Sequence, residues 1–263
     1  PKDKRVAIVG AGPAGLACAY YLQQAGYACT IFDDRELPGG RLREDIPESD
    51  LPRAVLDAEI ELILRMGVQF QGNTQVGRDM SLAELQAQFA AVYIATGRDE
   101  DTREELDLPT GPKGFKVERH SHQTPTAGVF AGGDAVRGAS QRAIRSLGDG
   151  REAAIAIGQY LSSDVVTGPE QPFNIRMGRL DAEELKSCMA LASEQVRQSP
   201  ESREQGFTSA QARDEALRCL HCDCRKPRAC KLRHYSQVYG AQTSSYKAER
   251  RKFSQSIQHP ELI

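Results

Sequence analysis

Two groups of residues in this sequence have the types and spacing to do chemistry. The first is Gly10-Ala11-Gly12-Pro13-Ala14-Gly15, followed by Asp33. In a turn between a strand and a helix, the first glycine permits a tight bend and the second lets a pyrophosphate approach the backbone. The third lets helix and strand pack closely. The opening of the helix then offers free N–H groups to the phosphates. An acidic residue at this distance accepts hydrogen bonds from ribose hydroxyls and disfavours a 2′-phosphate. Asp33 fits that role, and the adjacent Asp34 is the alternative. The second group is Cys219-x2-Cys222-x-Cys224-x5-Cys230, four thiols within twelve residues. Four thiolates on one short loop are the ligand set of a [4Fe–4S] cluster and equally of an all-cysteine zinc site. The tight Cys-x-Cys step matches neither the common ferredoxin run nor the common zinc-knuckle run. His221 and His234 are possible further ligands, less needed where four cysteines are present. Of the other three cysteines, Cys18 and Cys29 fall in apolar segments and read as core, and Cys188 stands alone.

The elements that must position the first group are legible. Arg5–Val9 is a β-branched run ending in glycine, which reads as a buried parallel strand. Residues 13–25 carry helical spacing, and 28–32 read as a second strand, completing a βαβ unit. Helices are expected over 52–66, 81–89 and 139–160, with strands at Val68–Phe70, Ala91–Ala95 and Val129–Ala131 and strand character around 115–118. This alternation predicts an α/β fold with a sheet wrapped by helices. After about residue 165 strand signals fade, and 181–198 and 208–219 look helical.

At Phe32-Asp33-Asp34-Arg35-Glu36-Leu37-Pro38-Gly39-Gly40-Arg41-Leu42 the sequence resembles the FAD site of the glutamate synthase small subunit and its relatives, within the pyridine nucleotide–disulfide oxidoreductase superfamily. Ile46-Pro47 and the helix after it extend the likeness. Ala95-Thr96-Gly97 resembles the motif where the chain leaves the FAD domain, and Gly128 to Ala135 resembles the second FAD motif. The resemblance implies that Gly39, Gly40, Arg41 and Leu42 lie against the dinucleotide. It implies that Asp134, after Gly133, binds the ribityl chain, and that Ala143 and Ile144 lie near the flavin. It covers roughly residues 5–160 and implies a Rossmann-like FAD-binding domain. The stretch from Glu215 to Cys222 resembles cysteine-rich segments that accompany such flavoproteins, which favours iron–sulfur over zinc at the four cysteines.

Relatives of this kind usually insert a second nucleotide domain between the Ala-Thr-Gly and second FAD motifs. Only the 30 residues 98–127 separate them here, without a second GxGxxG, so a pyridine nucleotide site of the family kind is not expected. His120 and His122 in this linker read as exposed loop residues, with a place facing the flavin as the alternative. No Cys-x4-Cys pair stands near the FAD motifs, so disulfide reductase chemistry is not expected, and no side chain is singled out as acid or base. The expected organisation is an FAD-binding domain over 1–165, a helical linker over 166–206 and a small, mostly helical cysteine-rich segment over 207–263.

Charge is uneven. From Phe207 to Ile263 there are 11 Lys/Arg against 5 Asp/Glu, a net +6 in a chain whose total is −2. Lys226, Arg228, Lys231 and Arg233 surround the cysteines, where they would offset thiolate charge or meet an acidic partner. The tail is not one basic stripe, so nucleic acid is not the expected partner; a redox protein or further electron-transfer domain is. No apolar run reaches the roughly 18 residues of a membrane span. Nothing reads as a signal peptide, which places the expected site in the cytoplasm. Beginning at Pro1 without methionine, the chain is expected to be processed or cut from a longer protein.

Overall fold

The computed structural model describes residues 2–98, 100–138, 142–170, 182–190, 192–200, 202, 205–219 and 231–241. Backbone contacts divide the chain into two units, Pro1–Glu170 and Gln171–Ile263. The first holds strands β1 (Lys2–Val9), β2 (Tyr27–Phe32), β3 (Gln69–Gln71), β4 (Ala91–Ile94), β5 (Thr110–Gly111), β6 (Gly114–Phe115) and β7 (Val129–Ala131). Its helices are α1 (Pro13–Gln24), α2 (Arg41–Glu44), α3 (Arg53–Arg65), α4 (Leu82–Gln88), α5 (Glu100–Glu105), α6 (Asp134–Arg137) and α7 (Ala143–Leu161). In the second unit the described helices are α8 (Ala182–Ala190), α9 (Ser209–Leu217) and α10 (Lys231–Val238).

Five strands form a parallel sheet in the order β3-β2-β1-β4-β7. Both faces are covered, so Val6–Val9 of β1 and Ala91–Ile94 of β4 are buried and apolar without alternation. Val6 and Ile8 face one core with Cys29, Ile31, Tyr93 and Phe130, where α1, α3 and α7 contribute Leu22, Ile60 and Ile157. Ala7 and Val9 face the other core with Phe32, Val92 and Ile94, closed by Leu85 of α4 and Phe115 of β6. Cys18 and Cys29 lie in the first core as expected; burial pushes the Cys29 thiol up to about 12 and Cys18 well above its ordinary value, so both stay protonated and inert.

The register aligns the carboxyl ends of the strands. Val9 pairs with Phe32 and Ile94, Phe32 with Gln71, and Ile94 with Ala131. From β1 the chain moves outward to β2 and β3, then returns to place β4 on the other side of β1. The order therefore reverses between β1 and β4, where a crevice opens beyond the strand ends.

Helix α7 is pulled onto α1 by missing side chains. A Cβ on Gly150 would lie 2.2 Å from the Ala14 carbonyl oxygen and 3.0 Å from both the Ala17 Cβ and the Cys18 nitrogen. Close approach here sets the position of the α7 N-terminus relative to the crevice.

Several boundaries differ from expectation. The strand around 115–118 is the short antiparallel hairpin β5–β6, tied by Thr110–Phe115 and Gly111–Gly114 pairing. The helix expected over 181–198 ends at Ala190. Short α5 and α6 and the tail helix α10 carried too few periodic apolar residues to be expected.

Gly150→Ala should destabilise the first unit. Alanine gains roughly 1 kcal/mol of helix propensity, but its methyl meets backbone atoms that cannot move aside. A net loss of about 1–3 kcal/mol is expected. Thermal melting followed by far-UV circular dichroism checks this; an unchanged or higher midpoint would show that α1 and α7 pack more loosely.

Candidate functional site

The glycine turn follows β1 into α1, and its three glycines are required for three different reasons. Gly10 has φ +105°, and a Cβ there would lie 2.3 Å from the Ala95 carbonyl oxygen, so the turn threads between the ends of β1 and β4. A Cβ on Gly15 would lie 1.9 Å from the Gly10 carbonyl oxygen, which seats the helix against the turn. Gly12 is different: its φ is an ordinary −75°, and a Cβ there meets nothing within 4 Å. No protein atom explains that glycine, whereas a ligand approaching the opening of α1 does. The Gly39-Gly40 pair packs on the same turn. Gly39 N–H donates to the Ala11 carbonyl at 2.9 Å, and a Cβ on Gly40 (φ +50°) would lie 3.0 Å from the Gly12 Cα.

Asp33 sits at the end of β2, only 8% exposed. One carboxylate oxygen accepts the Ala11 N–H at 2.5 Å and the other the Arg35 N–H at 3.0 Å. It therefore staples the glycine turn as well as facing the crevice. Each oxygen has a second lone pair for a hydroxyl donor. Burial pushes the Asp33 carboxyl above its ordinary value; the two N–H donors pull against this, and the neighbouring Asp34 carboxylate adds to the rise.

Across the crevice, Asp134 opens α6 after Gly133 (φ +66°). Its Oδ2 lies 3.6 Å from a guanidinium nitrogen of Arg41, which also pairs with Asp45. Its Oδ1 is buried without a hydrogen-bond partner. A buried acceptor left unmatched costs about 1–3 kcal/mol, and such an atom in a crevice is satisfied when a ligand hydroxyl arrives.

These residues line one cavity of about 1250 Å³. That exceeds the roughly 300–1,000 Å³ of an ordinary small-molecule pocket and suits a dinucleotide. Loops after all five parallel strands contribute, including Gly12, Asp33, Gln75, Thr96 and Asp134.

Residues 8–66 match the family described as an NAD(P)-binding Rossmann-like domain. Over 100 residues the chain is 50% identical to the NADPH-Fe(3+) oxidoreductase subunit beta of Geobacter sulfurreducens, covering 36% of this chain and 15% of that protein. It is 47% identical over 93 residues to the NAD-dependent dihydropyrimidine dehydrogenase subunit PreT of Salmonella typhimurium, covering 35% and 22%. Over 94 residues it is 44% identical to the glutamate synthase [NADPH] small chain of Bacillus subtilis, covering 36% and 19%. Over its first hundred or so residues the chain is thus similar to a Rossmann-like nucleotide-binding domain and to chains named as parts of oxidoreductases. It spans between 15% and 22% of the length of these three relatives.

Most of the residues expected at the site line the cavity: Gly10, Gly12, Pro13, Ala14, Asp33, Asp34, Gly40, Arg41, Leu42, Ala95, Thr96, Gly97, Asp134 and Ala143. Gly15, Gly39 and Gly133 stand behind it and shape the turns. Ile144 does not line it: Ala143 and Ser146 of α7 face the cavity, and Ile144, one helical step away, is 74% exposed. Sequence reasoning missed Thr74–Val76, Arg98, Asp101, Thr102, Arg142 and Ser146. Thr74–Val76 follow β3, and the rule that ligands sit beyond strand ends would have found them.

His122 is a correction. It is 1% exposed, not a surface loop residue, with Nδ1 3.1 Å from the Ala131 carbonyl oxygen and Nε2 3.4 Å from a Glu152 carboxylate oxygen. The loop turns inward because Gln123 bridges Phe130 of β7. His120 is exposed as expected. In the second unit, Cys219 is exposed just after α9, its N–H donating to the Ala216 carbonyl. Cys222, Cys224 and Cys230 lie outside the described residues. Among the described residues, no helix is long and apolar enough to cross a membrane.

Gly12→Val should remove dinucleotide binding while shifting the melting point of the ligand-free protein little, since a Cβ there meets nothing within 4 Å and the φ is ordinary. Equal ligand affinity in wild type and variant would show that the cavity is misread. For Asp33 the pH signs are opposite for ligand and fold. A hydroxyl donor needs the ionised carboxylate, so affinity is full above the raised pKa and falls as pH drops through it, starting earlier than for an ordinary aspartate. The ligand-free chain holds that proton more tightly than the unfolded chain, so Asp33 by itself favours folding increasingly as pH falls through the same range. Ligand titrations between neutral and mildly acidic pH check this; affinity that stays flat until ordinary aspartates protonate would contradict it.

Proposed function

We propose that this chain is the flavin-bearing, electron-relaying part of a redox enzyme, with FAD in the cavity and a [4Fe–4S] cluster on Cys219, Cys222, Cys224 and Cys230. The observation that carries the FAD half is the pairing of two unexplained features in one cavity. Gly12 leaves open space at the helix opening, and Asp134 Oδ1 waits without a partner at the far side. A dinucleotide with a hydroxylated chain beyond its pyrophosphate answers both. The N–H groups at the start of α1 receive phosphate oxygens, Asp33 accepts ribose hydroxyls, and Asp134 accepts hydroxyls of the ribityl chain. The first turn of the 19-residue α7 contributes Ala143 and Ser146 to the cavity, so the positive end of its dipole is available to anionic ligand charge there.

Bound FAD supplies acceptance of two electrons together and their release one at a time, which is what a one-electron cluster requires. The cluster half rests on the thiol spacing and on relatives that are chains of redox enzymes. Residues 98–127 support electron exchange with a protein or cluster rather than with nicotinamide. They are taken up by α5, the β5–β6 hairpin and a bridge to β7, with Leu106, Leu108 and Phe115 buried in the sheet's own core. The cytoplasm remains the expected compartment, and a redox partner protein or further electron-transfer domain the expected neighbour.

Mass spectrometry of the cofactor released from purified protein should give FAD; only FMN or a nicotinamide dinucleotide would overturn that half. Cys222→Ser with Cys224→Ser should strip iron and acid-labile sulfide from anaerobically purified protein while FAD remains. Stoichiometric zinc without sulfide in the wild type would overturn the relay.

A further inference from the structure

The turn that presents Asp134 is held from behind by a single buried charge. Asp149 lies within α7, with its side chain 4% exposed and outside the residues that line the cavity. Its Oδ2 accepts the Gly133 N–H at 3.0 Å and the Arg137 Nε at 2.7 Å, and its Oδ1 accepts the other arm of Arg137 at 2.6 Å. Gly133 immediately precedes α6, and Arg137 is its last residue. One carboxylate thus pins both ends of a four-residue helix whose first residue is Asp134.

The position is a poor one for an aspartate on stability grounds alone. Aspartate is a weak helix former, Gly148 and Gly150 flank it, and a buried carboxylate must be fully hydrogen-bonded to be tolerated. The turn is also packed from other sides: Ala135 is fully buried in the second core, and Gly114 of β6 lies against its carbonyl. A Cβ on Gly133 would lie 2.9 Å from the Ala14 Cβ and 3.6 Å from Ser146 Oγ, so the turn is wedged between α1 and α7 with no side chain of its own. Arg137 is drawn back toward Asp149 while Asp134, three residues earlier, projects forward with Oδ1 unpartnered.

We infer that Asp149 is a positioning residue for ligand recognition: by clamping Gly133 and Arg137 it fixes the Asp134 carboxylate where the hydroxyls of a polyhydroxylated chain reach it. This rests on the dinucleotide reading of the cavity. Asp149 touches no ligand and acts only through the α6 turn. Asn in its place keeps the size and one acceptor oxygen but loses the second, so the clamp on Gly133 and both arms of Arg137 is no longer complete.

The test is a double-mutant cycle on the full chain with FAD as probe, measuring dissociation constants for wild type, Asp149→Asn, Asp134→Ala and the double variant. Each single change should weaken FAD binding by about 10-fold or more. The double variant should be no more than about 2- to 3-fold weaker than the worse single one, because the two residues act in series. At saturating FAD, the visible circular dichroism of the bound flavin should change alike in both single variants. A change in melting point accompanies any structural loss and does not discriminate. Where Asp149→Asn does not fold, Arg137→Gln takes its place in the cycle with a smaller loss and the same non-additivity. Losses that multiply, or an Asp149→Asn protein with wild-type affinity, overturn the positioning role and leave the dinucleotide reading standing. Wild-type protein that binds no FAD overturns both.

Discussion

At residue 10 the backbone lies so close to the Ala95 carbonyl that a methyl group would sit 2.3 Å from its oxygen. This contact lets the chain leave β1, bend at once and enter α1 in the crevice between β1 and β4. Without it the turn would ride above the strand ends. The opening of α1 would not face the cavity, and Asp33 would lose the Ala11 N–H that it accepts at 2.5 Å. Gly15 against Gly10, Gly40 against Gly12 and Gly150 against Ala14 extend the same constraint outward. Each is a place where backbone meets backbone because a side chain is missing. Together they draw the Gly39-Gly40 loop and α7 in around a single turn.

The carboxylates in and behind the cavity divide their work by what they touch. Asp33 is committed to backbone through both oxygens, yet keeps capacity for a donor. Asp134 carries an oxygen with no partner at all, and Asp149 spends its charge on Gly133 and Arg137. Burying carboxylates this closely costs stability unless each is compensated. Asp149 is compensated from within the protein, Asp33 in part by two N–H donors, and Asp134 Oδ1 has no partner. The cavity is thus pre-formed by internal contacts, which lowers the entropy lost when a large, flexible ligand is ordered.

Much of the first unit is legible in the sequence because its signals are local. Val129–Ala131 and the glycine turn are recognisable from residue type and spacing alone, and α3 and α4 from helical periodicity. What escaped was set by partners distant in sequence. His122 reads as a loop residue because loops usually run over the surface, but pairing of Gln123 with Phe130 turns its side chain inward. Ile144 follows Ala143, and only the orientation of α7, fixed by Gly150 on α1, decides which of the two faces the cavity. Asp149 sits between two glycines in a helix, a pattern that signals weakness there and gives no hint of Gly133 or Arg137. The cysteine spacing signals a metal without naming it, since zinc and iron–sulfur use the same thiolates.

A cavity that engages FAD along its whole length is distinguishable from one that holds only the adenine half. The most direct measurement compares the melting temperature of ligand-free protein with saturating FAD, ADP and FMN. A ligand that binds only the folded state raises stability in proportion to the logarithm of its concentration over its dissociation constant. FAD should raise the melting point well beyond ADP, which reaches the glycine turn and Asp33 but not Asp134, and FMN should raise it least. Equal shifts with FAD and ADP, or no shift with FAD, would contradict a cavity built for the flavin dinucleotide.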